Sequence, residues 1–231
     1  MGQNKYIKKI IFSFITFNLL ILNFSLALAQ PPQEFEPLSQ KPSDIDYVTG
    51  LKYEESAQYA ADLDKACNLA VKFCNEYRQS HPEARNLAIV SDLDETLLDN
   101  RPFYDNCPKF NHKAFHEWIT GHTAKTLGPT EIFLKQARLN GYAIFFITGR
   151  RERDRVATTY NLVKDNVDYD GLFLKPNDFK GKAYEYKTNV RKSIEDMGFT
   201  IVENIGDQVS DLCGGYSLDC TKLPNKIYFV P

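Results

Sequence analysis

The sequence lacks internal repeats and low-complexity tracts, and it has no excess of basic residues. Its 231 residues carry 28 Lys and Arg against 30 Asp and Glu, which gives a formal net charge of −2. The absence of repeats and biased tracts argues against solenoids, fibres and disordered chains. The absence of basic excess argues against a nucleic-acid polymer as a partner. With 43% hydrophobic residues, the chain is long enough for one domain with a full core.

The chain has one prominent apolar run, and it is short for a membrane span, which needs about 20 residues. Three lysines precede the apolar stretch Ile10–Leu22, and Ala27-Leu28-Ala29 supplies small residues before Gln30. This layout predicts a cleavable signal peptide over residues 1–29 and export to a periplasm or to the outside of the cell. An uncleaved anchor is the alternative. After cleavage we expect no stable membrane anchor, and the net charge becomes −5 because three lysines and no acid are removed.

Cysteine is scarce and odd in number, which restricts disulfide formation. The five residues are Cys67, Cys74, Cys107, Cys213 and Cys220. At least one of them lies outside any disulfide within the chain. Cys67 and Cys74 are seven residues apart on a predicted helix, about 10 Å, so we expect core positions rather than a bond. Cys213 and Cys220 flank a turn and are the best candidate pair, but spacing alone leaves their connectivity open.

Strands alternate with helices from Leu87 onward. Before that point, residues 30–49 contain four prolines and predict an extended arm or linker, which could reach a neighbouring subunit in an oligomer. Residues 53–79 carry a helical apolar stripe. The remaining elements are predicted as strands at 87–91, 143–147, 171–174, 200–205 and 226–230, and as helices at 111–120, 130–140, 151–165 and 183–197. The alternation predicts an α/β domain over residues 50–231, with a doubly wound parallel sheet and an N-terminal helix.

Two carboxylates follow the first predicted strand of that sheet. Asp92 and Asp94 come directly after the apolar run Leu87–Val90, at the edge where open α/β sheets bind their ligands. Carboxylates this close are costly unless a cation or the reaction uses them. Three later segments carry further polar or charged residues that could belong to the same site. They are Thr148-Gly149-Arg150, Lys187, and Asp207 with Asp211. Each motif alone could be an ordinary turn, cap or surface lysine, but the four in this order favour one site.

An insertion interrupts the alternation after the first strand. The stretch from residue 97 to residue 128 is rich in aromatic residues and histidine, and it must begin at the carboxylate edge of the sheet. It therefore predicts a small cap over the site. His112 and His116 are four residues apart and could face one way on a helix, but no carboxylate or cysteine completes a metal site with them.

The four segments resemble the active site of the haloacid dehalogenase superfamily in its Mg²⁺-dependent phosphatase form. The resemblance narrows to the plant acid phosphatase and vegetative storage protein family, which is related to the bacterial class B and class C acid phosphatases. It covers roughly residues 43–231. The segments that carry it are Asp92–Asn100, Phe115–Trp118, Phe146–Arg150, Gly206–Leu212, Lys222–Asn225 and Tyr228–Pro231. It implies a Rossmann-like haloacid dehalogenase fold and a phosphomonoesterase with broad or nucleotide substrates.

The resemblance also implies catalytic roles, which the chemistry of phosphoester hydrolysis explains. Asp92 would attack phosphorus and form an aspartyl-phosphate. Asp94 would protonate the leaving oxygen and then activate water, which suits an acidic optimum. Thr148, with the backbone amide of Gly149, would bind a phosphoryl oxygen. Lys187 would neutralise the intermediate and hold Asp92.

Metal and substrate contacts are implied in the same way. Mg²⁺ prefers octahedral oxygen ligands, which Asp92, the backbone carbonyl of Asp94, and Asp207 would supply. Asp211 would orient a metal-bound water. The candidate substrate contacts are Gly149, Arg150, Phe103, Tyr104 and Trp118. For the three aromatic residues, packing within the cap is an equally open interpretation.

The sequence therefore predicts an exported, Mg²⁺-dependent acid phosphatase that hydrolyses small phosphomonoesters, with nucleotides among the candidates. The alternative is a non-catalytic storage or binding protein on the same fold. Retention of Asp92 favours the enzyme, because inactive relatives can lose the nucleophile. A phosphoacceptor receiver would also use a strand-end Asp and a Lys, but the export signal and Asp94 argue against it.

Overall fold

The computed structural model describes residues 47–107 and 110–230. The signal peptide predicted over residues 1–29 and most of the arm predicted over residues 30–49 lie outside this part of the chain. Within it, none of the helices combines the length and the apolar character that crossing a bilayer requires.

Seven strands and eight α-helices are formed by the described residues. The strands are β1 (Leu87–Ser91), β2 (Leu98–Asp99), β3 (Lys125–Thr126), β4 (Ala143–Arg151), β5 (Gly171–Lys175), β6 (Thr200–Gly206) and β7 (Asp219–Lys222). The helices are α1 (Tyr47–Glu54), α2 (Ala57–Ser80), α3 (Arg101–Asn106), α4 (His112–Thr120), α5 (Gly128–Leu139), α6 (Arg155–Lys164), α7 (Ala183–Asp196) and α8 (Val209–Leu212). A 3-10 turn over Glu152–Asp154 joins β4 to α6.

Five strands form one parallel sheet in the order β5-β4-β1-β6-β7, which confirms the predicted α/β class. The central strand β1 is buried along its whole length, as its unbroken apolar run predicts. Its last residue, Ser91, lies opposite Phe146 on β4 and Ile205 on β6. The C-terminal parts of three neighbouring strands therefore meet at one edge: Asp92 follows β1, Asp207 follows β6, and Thr148 lies within β4.

Two apolar layers cover the sheet. One contains residues from α2 and α5, including Cys67 and Cys74, which are buried in the core as predicted. The other lies under α7 and contains Tyr186, Val190 and Ile194. A third cluster belongs to the insertion, where Phe103 and Tyr104 pack with Ile227. The insertion holds α3, α4 and the antiparallel pair β2–β3.

The strand predicted at residues 226–230 is wrong. The fifth strand of the sheet is β7, residues 219–222, which pairs with β6. In residues 226–230, backbone N–H groups donate to side chains instead of to a neighbouring strand. Lys226 N–H donates to Glu54 Oε1 at 3.2 Å, and Val230 N–H donates to Gln208 Oε1 at 3.0 Å. The β-like composition of this segment reflects burial against α1 and the site rather than pairing in a sheet.

The N-terminal helix predicted at residues 53–79 is two helices. Ser56 divides them, because its Oγ accepts the Tyr59 N–H at 3.2 Å and caps α2. Tyr47–Thr49, predicted to be extended, form the first turn of α1. The candidate Cys213–Cys220 disulfide is not formed: Cys220 is a free cysteine whose Sγ lies 3.1 Å from Ser217 Oγ.

Candidate active site

The site begins in the tight turn that follows β1. Asp92 N–H still donates to the Ile205 carbonyl of β6 at 3.0 Å, so the sheet fixes Asp92. The Leu93 carbonyl then accepts the N–H groups of both Leu97 and Leu98, at 2.9 and 2.7 Å, which closes the turn. Glu95 lies inside it with φ of 56°, in the left-handed region. Rigid backbone therefore holds Asp92 and Asp94 at the edge of the sheet.

Three buried carboxylates converge at this edge, and one lysine contacts two of them. One oxygen each from Asp92, Asp207 and Asp211 lie within 4.8 Å of one another. Lys187 on α7 donates from Nζ to Asp92 Oδ1 at 2.5 Å and to Asp211 Oδ1 at 2.6 Å. Among residues 47–107 and 110–230, no other ammonium or guanidinium group lies within 4 Å of these carboxylates. The predicted nucleophile, lysine and two acids thus occupy one site.

Gly206 makes the approach of Asp211 possible. A Cβ at Gly206 would lie 2.5 Å from Asp211 Oδ2, closer than non-bonded atoms approach. Without that Cβ, Asp211 folds back against the end of β6, and its Oδ2 accepts the Gln208 N–H at 2.8 Å. The glycine before Asp207 is therefore a steric requirement of the carboxylate cluster.

Neutral donors hold Asp207. Thr96 Oγ1 donates to its Oδ1 at 3.0 Å, while Gln208 Nε2 and Asn225 Nδ2 donate to its Oδ2 at 2.7 and 2.6 Å. The sequence prediction missed all three donors. Their positions within the quoted motifs were the available signal, but spacing does not show which side chain points at the carboxylate.

Burial dominates the electrostatics of this cluster. Burial, with Asp211, Asp207 and Asp94, raises the pKa of Asp92 well above its ordinary value, and Lys187 opposes the rise. Burial and Asp211 likewise raise the pKa of Asp207. Burial works to lower the pKa of Lys187, but Asp211 and Asp92 outweigh it and raise the pKa. The ammonium is therefore charged, while the carboxylates ionise at a cost that a further cation would offset.

Asp94 lies apart from the cluster and binds Arg150. Arg150 Nη2 donates to Asp94 Oδ1 at 2.7 Å and its Nε lies 3.1 Å from Oδ2, which is a bidentate pair. Asn100 Nδ2 donates to Oδ1 at 3.0 Å. Trp118 Nε1, on cap helix α4, donates to Asn100 Oδ1 at 2.8 Å. Asp94 is thus oriented by β4 on one side and by the cap on the other.

Arg150 was predicted to contact substrate, and the structure places its whole side chain below the surface. Its exposed fraction is 0%, against 14% for Asp94. Its Nη1 donates to Thr158 Oγ1 on α6 at 3.2 Å. Arg150 therefore holds the Asp94 carboxylate in this structure, and its contact with substrate stays a prediction.

Thr148 and Gly149 lie in the C-terminal half of β4, the strand that pairs with β1. Thr148 is fully buried and its Oγ1 accepts the Arg150 N–H at 3.1 Å. The pairing of β4 with β5 is irregular between Thr148 and Arg151, which leaves Gly149 exposed. The exposure of Gly149 is compatible with its predicted contact to a phosphoryl oxygen through the backbone amide.

Two of the three predicted aromatic contacts, Phe103 and Tyr104, belong to the core of the cap. Phe103 and Tyr104 are no more than 5% exposed, and they pack together in the cap cluster. Trp118 is partly buried, and its indole N–H donates to Asn100 Oδ1. The histidines do not converge: His116 Nδ1 pairs with Asp154, whereas His112 lies against Phe110.

The carboxylate cluster fits a hard divalent cation such as Mg²⁺. All side-chain donors are oxygens, which Mg²⁺ prefers, and their burial disfavours three uncompensated negative charges. Cys and His, the usual ligands of zinc, are not part of the cluster. Asp92 and Asp207 are the side chains that would hold the ion, with Asp211 beside them. The role of the Asp94 carbonyl as a ligand stays a prediction.

Comparison with known proteins agrees with this geometry. Residues 32–231 match the acid phosphatase family that forms subfamily IIIB of the HAD superfamily. The chain is 34% identical over 195 residues to "Acid phosphatase 1" of Solanum lycopersicum, covering 80% of this chain and 74% of that protein. It is 36% identical over 191 residues to "Vegetative storage protein 2" of Arabidopsis thaliana, covering 76% and 68%.

A solved structure shares the fold. The class C acid phosphatase from Bacillus anthracis with tungstate bound superposes with a TM-score of 0.65 at 21% identity, covering 79% of this chain and 85% of that chain. At this identity the likeness concerns the fold alone, and it supports the α/β topology described above.

Proposed function

The chain belongs to the subfamily IIIB acid phosphatases of the HAD superfamily, and from that premise we propose that it hydrolyses small phosphomonoesters through an aspartyl-phosphate on Asp92, with Mg²⁺ as cofactor. One observation carries the proposal: the Asp92 carboxylate is buried, contacts Lys187, and shares its site with Asp207 and Asp211.

A residue of the site can be assigned to each step of the proposed reaction. An Asp92 oxygen forms a bond to phosphorus as the bond from phosphorus to the leaving oxygen breaks. Protonated Asp94 gives its proton to the leaving oxygen, and the ionised carboxylate then takes a proton from the water that attacks phosphorus and releases Asp92. Lys187 offsets negative charge on Asp92, while Thr148 and the Gly149 amide bind phosphoryl oxygens.

A bound Mg²⁺ would neutralise charge on the phosphoryl group and on the carboxylates that hold it. The protein contributes the arrangement: Asp92 and Asp207 as ligands, and Asp211 as a neighbour held by Lys187 and the Gln208 N–H. The donors from Thr96, Gln208 and Asn225 fix the orientation of Asp207 and leave its carboxylate on the cluster side.

A storage or binding role on the same fold is the second candidate, favoured by the likeness to a protein named as a vegetative storage protein. The two candidates differ in turnover. We favour the enzyme because the nucleophile, the acid and the lysine are all retained and assembled.

The deciding experiment measures hydrolysis of an aryl phosphate from pH 4 to pH 8, with Mg²⁺ and with chelator. We expect metal-dependent turnover that peaks on the acid side. Asp92→Asn should abolish turnover, because an amide is a poor nucleophile, while Mg²⁺ binding falls less. Asp64→Asn, at an exposed position on α2, is the matched control. Near-native turnover by Asp92→Asn would rule out the covalent mechanism, and no turnover by folded wild-type protein would favour storage or binding.

Export is a further part of the proposal. It is supported by the lysines, the apolar run and the small residues of positions 1–29. N-terminal sequencing of the protein recovered outside the cytoplasm should start at Gln30. A start at Met1 would show that the segment is retained.

A further inference from the structure

Charge is distributed unevenly around the candidate active site. The carboxylates lie at the ends of β1 and β6, whereas the ends of β4 and β5 carry cations. Thr148 on β4 is opposite Leu174 on β5, and after the irregularity at Gly149 the next pair is Arg151 with Lys175. Lys175 is the last residue of β5, one strand beyond the predicted phosphoryl site.

The alternation of β5 sets the direction of Lys175. Leu172 and Leu174 belong to the core layer that contains α2 and α5, and Phe173 packs on the opposite layer under α7. Because successive side chains of a strand point to opposite faces, Lys175 is on the face of Phe173. This is also the face from which Lys187 of α7 reaches Asp92.

Lys175 is a cation without an acidic partner. It is partly buried, and among the described residues no carboxylate lies within 4 Å of its ammonium. Burial, Arg151 and Lys187 all lower the pKa of Lys175. Lys187 is committed to Asp92 and Asp211. A buried or partly buried charge normally has a counter-charge, so this position favours an anion.

Arg151 supports the same anion-binding position. Its Nη1 donates to the backbone carbonyls of Pro176 and Phe179, at 2.7 and 3.1 Å. These bonds hold the guanidinium against the loop that follows Lys175 and leave its other donors available. Two cations of different elements, one fixed by the backbone, thus lie next to each other beyond Gly149.

We propose that Lys175, with Arg151 beside it, binds a second anionic group carried by the leaving group of the substrate. The preferred substrates are then phosphomonoesters that also carry a carboxylate or a further phosphate. The proposal rests on the proposed function, because the scissile phosphoryl group must occupy the Asp92, Thr148 and Gly149 position. Lys187 already neutralises charge there, which leaves Lys175 for a separate group of the same molecule.

Binding of non-hydrolysable phosphonates tests this proposal without turnover. Calorimetry on the Mg²⁺-loaded protein compares ethylphosphonate, 3-phosphonopropionate and 1,2-ethanediphosphonate. We expect the two ligands with a second anionic group to bind about two- to fivefold more tightly than ethylphosphonate, the scale of one partly exposed ion pair. Lys175→Gln should remove that difference and leave ethylphosphonate binding nearly unchanged. Lys180→Gln, at an exposed position five residues on, should behave as wild type.

The other outcomes each contradict a defined statement. Equal affinity of wild type for the three ligands, or an equal loss for all three in Lys175→Gln, would overturn the proposal and leave the phosphatase function intact. Failure of wild type to bind even ethylphosphonate would count against the phosphoryl site itself, and with it against both proposals. A gain confined to the diphosphonate would restrict the second group to phosphate, and a gain for both would include carboxylates.

Discussion

Single residues at this site are fixed by partners that are remote in sequence. Asp94 accepts from Arg150 on β4 and from Asn100 in the cap, and Asn100 in turn accepts from Trp118. An acid that gives and takes a proton at one oxygen must be aimed at the leaving group. Because the Arg150 side chain is buried against Asp94, we infer that it acts on the reaction through the orientation of Asp94.

Arg150→Met should therefore lower kcat by about 10- to 100-fold, with KM changed by less than about threefold, because mispositioning a catalytic group by about 1 Å has effects of this size. Arg150→Lys should recover part of kcat, since it restores charge without the bidentate geometry. Arg153→Met, in the 3-10 turn that follows β4 and with a side chain 54% exposed, is the control. A raised KM at unchanged kcat would instead show that Arg150 binds substrate.

Asp94→Asn should lower kcat by about 10²- to 10⁴-fold for an alkyl phosphate, because the leaving oxygen then departs without a proton. The loss should be smaller for a dinitrophenyl phosphate, whose leaving group needs no proton. The pH–rate profile should lose the limb that reports the acid. Asp105→Asn, at an exposed cap position, is the control. Equal losses for both substrates with an unchanged pH profile would refute the acid–base role.

At the scale of elements, the sequence predicted what depends on continuous patterns. The strands β1 and β4 contain continuous apolar runs that are buried on both faces, so these runs are visible in the sequence. The rule that ligands bind at strand ends then placed the motifs. Side-chain pairing was not predictable in this way. The partners of Arg150 and the position of β7 both depend on which buried polar groups bond together. Neither the hydrophobic periodicity nor the composition of the sequence indicates such pairs.

The contact of α1 with the C-terminal segment is one such case, and it gives stability a pH dependence. Glu54 is 1% exposed, its Oε1 accepts the Lys226 N–H, and its Oε2 has no hydrogen-bond partner. Gly50 lies so close to this segment that an added Cβ would be 2.0 Å from the Lys226 carbonyl oxygen. Burial, with a smaller effect of Asp207, raises the pKa of Glu54 from 4.5 to about 8.

Folded protein therefore keeps a proton on Glu54 that unfolded protein releases above pH 4.5. The stabilisation is complete below that pH and is lost as the pH rises towards 8. The Gln side chain of Glu54→Gln is uncharged at every pH. Between pH 5 and pH 8 the free energy of unfolding should therefore fall in wild type by roughly 2–4 kcal/mol more than in Glu54→Gln. Urea unfolding at several pH values measures this. Glu55→Gln, at the exposed neighbour, should parallel wild type; a parallel slope for Glu54→Gln would contradict the assignment.

At the scale of the whole molecule, burial of the active-site carboxylates lowers the free energy of unfolding, and a bound cation can offset this loss. One oxygen from each of three buried carboxylates lies within 4.8 Å of the others, and Lys187, in contact with Asp92 and Asp211, is the one cation that touches the cluster in the described part of the chain. The fold tolerates this arrangement because five parallel strands and two apolar layers determine where the strand ends lie. A divalent cation that binds only the folded state therefore stabilises the whole domain, and not the site alone.

Mg²⁺ at about 100 times its Kd should stabilise the protein by about 2.7 kcal/mol, which raises Tm by roughly 5–10 °C for a chain of this size. Asp207→Asn should lose most of this shift whatever its own baseline Tm, because it removes a charged ligand while keeping the shape. Asp64→Asn should keep the whole shift. Thermal unfolding with Mg²⁺ and with chelator supplies all six values and needs no substrate. An equal shift in Asp207→Asn and wild type would place the metal elsewhere, and no shift in wild type would separate the carboxylate cluster from metal binding.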